Sequence, residues 1–387
     1  MQHPIDEVDA KEYRARFPIF EHKNYLNSCS LGPLSRESRM GLHQYAEDWT
    51  EFGAPAWWLR WIPKIDRVQT LFAQAINADL DQVTIHHSAS SALASVSSAL
   101  DYSVRNKVVV SEIDFPTIAY QWLVKPSVEV AFARSAGGIT IPIEEYERLI
   151  DDRTAAVATS HVFYATGAVQ DIRTIAELAH RNGALAIVDG YHAVGVLPVD
   201  VQAAGVDFYV GGTLKWVCGG PGLTFVYAGP EVLSRLPTVI GWFAAKDQFA
   251  FETTTFEPAE NAARFQLGTP AVGTIYTGIP ALELILEVGP DRIYQRVRDL
   301  TDAIVNRALA SEMEVASPLS AMERGGVVML RLSDPPAVVE ALNQRNIIVD
   351  ARPGKVRISP HFFNTRADVD AAMDVLEEFS GVSAGVN

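Results

Sequence analysis

Four ionisable side chains, Asp114, His161, Asp189 and Lys215, stand at or shortly after the ends of short apolar runs. Lys215 follows the run Phe208-Tyr209-Val210 and precedes Gly219-Gly220-Pro221-Gly222, where a backbone without side chains allows a close approach. An amine at the end of a buried run can form an imine with a carbonyl compound, release it to another amine, and then move a proton. Asp189 ends the run 185–188, and His192 lies one short turn later. Taken singly these residues say little. A lysine beside glycines is often solvated, and an aspartate after a strand is often a turn or cap residue.

The elements that must carry these residues can be read between 83 and 228. Short runs at 83–85, 107–110, 155–159, 185–188, 208–210 and 223–227 read as strands. Segments at 88–100 and 172–181 read as helices, the second stopping at Asn182 and Gly183. Buried strands alternating with helices imply an α/β fold with a mostly parallel sheet covered on both faces. Ligands bind such sheets beyond the carboxyl ends of the strands, which is where the four ionisable residues fall.

A chain of 387 residues, 48% of them hydrophobic, is larger than one compact core usually accommodates. The pattern predicts an N-terminal segment (residues 1–60) packing on a small domain or a partner subunit, a large domain (61–285) and a C-terminal small domain (286–387). The last has helical stretches broken at Gly289-Pro290, strands near 327–332, 347–349 and 356–358, and helices at 336–345 and 367–379, a compact α+β unit.

The formal net charge of −15 argues against a nucleic-acid-binding face but leaves room for a small anion held by a few N–H donors. No stretch is long and apolar enough to cross a bilayer, and the N-terminus lacks a secretory pattern. Two cysteines make no disulfide framework, and no Cys/His cluster has metal-ligand spacing, so a cytoplasmic setting and no metal are expected. Trp49, Trp57, Trp58 and Trp61 crowd together, as core, as subunit interface, or as a wall of a substrate pocket.

The segment from Asp189 through His192 and Asp200 to Thr213, Lys215 and Gly222 resembles the fold-type I pyridoxal-phosphate enzymes of the class V aminotransferase family, most closely the kynureninase branch. The resemblance extends through Tyr25–Gly32, Asp114–Thr117, Ser160–Gly167, Arg264–Pro270 and Val356–Thr365, in family order and with matching intervals. It implies pyridoxal 5'-phosphate as cofactor, Lys215 as the Schiff-base lysine, Asp189 as partner of the pyridine nitrogen, and His192 beside the cofactor. Ser88, Ala89 and Ser90, where a strand enters a helix, would hold the phosphate, with Thr213 as a further donor. Thr269 matches a threonine contributed by the partner subunit, which implies a homodimer with shared active sites. Phe115 matches the aromatic residue on the pyridine face, and Arg357 the residue that clamps the substrate α-carboxylate. Arg352 and Arg264 are weaker candidates that suit structural roles equally well.

Two positions depart from the branch. Leu214 stands where it has tyrosine, and Phe163 where it commonly has asparagine; Tyr164 or Tyr191 could replace the missing hydroxyl. The resemblance implies an amino-acid substrate passing through an external aldimine and a quinonoid, then side-chain cleavage at Cβ by a lyase or hydrolase, with an aminotransferase or epimerase as the alternative. Neither Cys29 nor Cys218 matches the mobile cysteine of a desulfurase, and Gly219–Gly222 is not a dinucleotide-binding turn. A relative that had lost catalysis would not be expected to keep both Lys215 and Asp189.

Overall fold

A computed structural model describes residues 3–380. Strand β1 (Asn24–Tyr25) precedes a large-sheet series of β2 (Val83–His86), β3 (Lys107–Ser111), β4 (Glu129–Ala133), β5 (Thr154–Ser160), β6 (Leu185–Asp189), β7 (Phe208–Gly212) and β8 (Thr224–Ala228). These seven strands form one sheet in the order β2-β8-β7-β6-β5-β3-β4, parallel except where β8 pairs with β2 and β7. Most of its strands are buried along their whole length, as expected for a sheet covered on both faces. Only a fold of this kind can accept runs such as Val108-Val109-Val110 without a polar alternation.

The helices that cover the sheet have recognisable ends. Ser88 caps the helix Ala89–Ser98, its hydroxyl accepting from the Ser91 N–H while the Ser91 side chain returns a bond to the Ser88 N–H. Asp171 caps Ile172–Arg181, whose buried face is Ile172, Ile175, Ala176, Leu178 and Ala179. That helix stops at Asn182, with Gly183 in the left-handed region at φ 70°. Helices Val272–Val288 and Pro290–Ala310 meet at Gly289 and lead into the second sheet.

The second sheet contains β9 (Glu314–Val315), β10 (Val328–Arg331), β12 (Asp350–Arg352) and β13 (Lys355–Ile358), all antiparallel in the order β12-β13-β10-β9. Beside it, β11 (Ile347–Ile348) pairs in parallel with β1, drawing the N-terminal segment onto this part of the molecule. A separate apolar core lies here, built from Leu300, Ile304, Val328, Leu330, Leu342, Val356, Ile358 and Leu376 among others. The architecture is thus α/β, with a large mixed sheet and a smaller antiparallel one. Among the described residues, no single helix is long and apolar enough to cross a membrane.

Candidate active site

The register of the large sheet brings the reactive residues together. Ser160 at the end of β5 lies opposite Asp189 at the end of β6, and Asp189 lies opposite Val210 of β7. The chain then leaves β7 through Thr213 and Leu214 to Lys215, at the same carboxyl edge. Lys215 Nζ lies 2.6 Å from His192 Nε2, 5.5 Å from the centre of the Tyr191 ring and 5.9 Å from that of Phe115. Burial lowers the lysine pKa to about 8, against the opposing pull of Asp189. His192 is also buried, and burial together with the charges of Lys215, Arg357 and Arg352 holds it well below the usual imidazole range.

His192 is therefore neutral, and toward a protonated Lys215 it presents Nε2 as an acceptor. Its other nitrogen, Nδ1, is buried without a hydrogen-bond partner among the described residues. Asp189 is buried too, and one oxygen accepts from the Tyr191 N–H at 2.8 Å. Burial raises its pKa, with the Tyr191 N–H and Lys215 acting in the opposite direction. A carboxylate held this way suits a cation or a protonated ring nitrogen.

Phe115 begins the helix Pro116–Leu123 and is 47% exposed, its ring meeting Tyr164 edge-on at 5.2 Å. The preceding residue fixes this loop. Asp114 accepts from the Ser111 N–H at 3.0 Å and the Ser160 N–H at 2.8 Å, tying the exit of β3 to the end of β5. Burial pushes its pKa up to about 7, opposed by those donors and the Thr159 hydroxyl. His161 donates its backbone N–H to the Asp189 carbonyl and places Nδ1 3.0 Å from the Tyr209 hydroxyl, behind the lysine.

The candidate phosphate residues lie at the start of the helix Ala89–Ser98, where Ser90 Oγ is 2.6 Å from Thr117 Oγ1. The two helix starts, with Ser88–Ser90 on one and Phe115–Thr117 on the other, are thereby joined. Thr213 is fully buried, and its hydroxyl donates to the Gly220 carbonyl at 3.0 Å, closing the glycine turn. Thr269 is exposed, with its carbonyl 3.0 Å from His87 Nε2. Tyr191 sends its hydroxyl to Thr224 at 2.5 Å, so that group is already engaged.

Arg357 on β13 is 2% exposed and donates through Nη2 to Asp350 at 2.6 Å and to Ser30 at 2.5 Å, while its Nε is buried without a partner among the described residues. Arg352 donates to the other oxygen of Asp350 at 2.7 Å. Arg264, by contrast, donates to the Ala259 carbonyl within its own loop. Asp350 and Ser30 were not singled out by sequence reasoning: Asp350 lies outside the matching segments, and Ser30 lies within Tyr25–Gly32 with nothing there to link it to Arg357. The four tryptophans separate: Trp61 is buried and Trp57 partly so, whereas Trp49 and Trp58 are more than half exposed.

The donor set fits a pyridoxal phosphate group: a partly buried amine with a lowered pKa, a buried carboxylate on the neighbouring strand, a flanking aromatic ring, and hydroxyls at a helix start. The fold is that of fold-type I pyridoxal-phosphate enzymes. A cysteine desulfurase from Thermococcus onnurineus NA1 superposes with a TM-score of 0.87 at 19% identity, over 96% of this chain and 98% of that one. Residues 59–372 match the family "Aminotransferase class-V", and the chain belongs to it. It is 32% identical over 365 residues to the uncharacterised aminotransferase YcbU of Bacillus subtilis, covering 94% of this chain and 96% of that protein. It is 30% identical over 387 residues to the kynureninase of Pseudomonas fluorescens, covering 94% and 91%.

Proposed function

We propose that this protein holds pyridoxal phosphate on Lys215 and cleaves the side chain of an amino acid at Cβ, as a lyase or hydrolase. The observation that carries the reading is the partly buried Lys215 amine, 2.6 Å from neutral His192 and one strand away from Asp189. When bound, the cofactor supplies an aldehyde for the lysine and a ring that draws off electrons from the substrate's Cα. Asp189 would keep a proton on the ring nitrogen, Phe115 would cover one ring face, and Ser88, Ala89, Ser90, Thr213 and the partner's Thr269 would surround the phosphate.

Arg357 would take the substrate carboxylate and fix the orientation of Cα. Lys215, once released, takes the Cα proton, and His192 at 2.6 Å keeps the freed amine in place by accepting its N–H. The pair offers two nitrogens at one point, which suits a reaction that must remove one proton and return another. Side-chain cleavage needs both, as aminotransfer does, and relatives named kynureninase favour cleavage.

A second reading, aminotransfer, is favoured by Leu214, which has no proton to give where the kynureninase branch has tyrosine. A desulfurase relay through cysteine is disfavoured. Cys29 and Cys218 are both buried, and burial pushes the Cys218 thiol far above its ordinary range.

The experiment is to incubate the holoenzyme with a panel of amino acids that includes kynurenine, following the absorption spectrum and identifying products by mass. Alanine or another shortened amino acid, with a released side-chain product, supports cleavage. A 2-oxo acid with the cofactor left as its amine establishes the aminotransferase instead. A protein that stays colourless after addition of pyridoxal phosphate overturns both.

A further inference from the structure

The surroundings of Arg357 assign work to two residues given no role by the motifs. Arg357 on β13 lies directly across from Asp350 on β12, and Asp350 and Arg352 share one face of that strand. Ser30 arrives from a different part of the chain. Its segment is held by Cys29 N–H on the Ser359 hydroxyl at 3.2 Å and by Gly32 N–H on the Leu214 carbonyl at 2.9 Å, next to the Lys215 turn. Ser30 donates to Asp350 Oδ2 at 2.7 Å, and Arg357 Nη2 donates to both, so the three residues close a triangle.

A triangle anchored on two strands and the N-terminal segment holds one end of the guanidinium while leaving Nε buried and, among the described residues, unbonded. A buried guanidinium N–H without an acceptor is costly unless a ligand supplies one. Asp350 does not cancel the charge of the clamp, because Arg352 shares the same carboxylate and two cations face one anion. Burial alone would raise the Asp350 pKa, but the Ser30 hydroxyl and both arginines hold it below the usual carboxylate range.

We propose that Asp350 and Ser30 are positioning residues that hold Arg357 with its free edge presented to the α-carboxylate of the substrate. This rests on the reading of Arg357 as the carboxylate clamp. A rotated arginine would still carry its charge but would lose the paired, planar hydrogen bonds that make it selective. The effect therefore belongs to substrates that have the carboxylate and not to those that lack it.

The test uses holoenzyme and matched probes: phenylalanine, kynurenine and cysteine, each with its decarboxylated amine (phenethylamine, kynuramine, cysteamine), titrated by the change in the cofactor spectrum. The amino acid bound most tightly by the parent protein is carried forward with its amine. Arg357→Ala and Asp350→Ala should each weaken the amino acid by about tenfold or more and the amine by less than about twofold. Asp350→Asn, which keeps one acceptor oxygen, should fall between Asp350→Ala and the parent. Ser30→Ala should show the same selectivity on a smaller scale, and stands in should Asp350→Ala fail to fold.

If Arg357→Ala weakens amino acid and amine alike, or neither, the clamp reading falls and the inference falls with it. If Arg357→Ala is selective but the Asp350 and Ser30 variants are not, the inference alone is overturned. Weakening of both probes by Asp350→Ala, with cofactor content reduced, would mean that Asp350 only supports the fold.

Discussion

At the residue scale, the proposed chemistry turns on an amine whose protonation has been shifted by its surroundings. Lys215 is partly buried, and loss of solvent around its amine lowers its pKa from the usual 10.5 to about 8. The neutral form is the nucleophile, so the rate at which apoprotein captures pyridoxal phosphate should rise with pH and level off above about 8, where an exposed lysine would keep gaining up to about 10.4. Stopped-flow absorbance on the apoprotein measures this. Lys215→Ala should bind the cofactor without a borohydride-reducible linkage, and a midpoint near 10 in the parent protein would contradict the buried environment. His192 contributes no charge across this range, because burial and the neighbouring cations keep it neutral, so it should add no transition of its own to the profile.

At the element scale, placement depends on two close approaches that the strands and turns enforce. β6 and β7 run side by side in register, so the residues that leave them, Asp189 and Lys215, emerge at one edge. The N-terminal segment then closes over the lysine turn at Gly32, where an added Cβ would come within 2.1 Å of the Lys215 carbonyl oxygen and 2.8 Å of Cys218 Sγ. Both atoms belong to a buried turn with little freedom to yield. Gly32→Ala should therefore cost about 1–3 kcal/mol of stability and loosen cofactor binding, read by thermal unfolding and by the fraction of cofactor retained on dialysis. An unchanged melting temperature would show that the turn is softer than its packing suggests.

At the scale of the whole molecule, one face is more apolar than a solvated surface requires. Trp58 lies 4.3 Å from Phe249 between ring centres, and Trp242 contacts Phe243, Phe249 and Phe251 in turn. Trp58 is 58% exposed and Phe251 71%, beside a cavity of about 770 Å³ lined by residues 240–257. None of the four tryptophans between 49 and 61 lines that cavity, and it shares no residue with the lysine cluster. Such a patch fits the subunit interface of the proposed homodimer. Trp58→Glu should weaken the dimer by on the order of 10–100-fold, measured by sedimentation across a range of concentrations. If the parent protein is monomeric at micromolar concentration, a partner's Thr269 has no place in the site.

Much of this was legible in the chain because it depends on local order. Lys215, Asp189 and His192 are set by their distances along one segment. A strand must end before a side chain can project from its edge, and that ending is written in the apolar runs and glycines around it. The helix stop at Asn182-Gly183 is local for the same reason. The clamp is not. Asp350 meets Arg357 through antiparallel register, and Ser30 reaches them from more than 300 residues away, so no spacing announces the contact. Exposure was equally hidden: Trp57, Trp58 and Trp61 differ in burial because the π-helical turn Trp57–Trp61 points successive rings in different directions, while Trp49 sits exposed on the helix Arg36–Phe52. Residue identity and interval thus determined which chemistry the protein can attempt. Only tertiary packing decided which charges face one another, which hydroxyls are already spoken for, and how far burial shifts a proton.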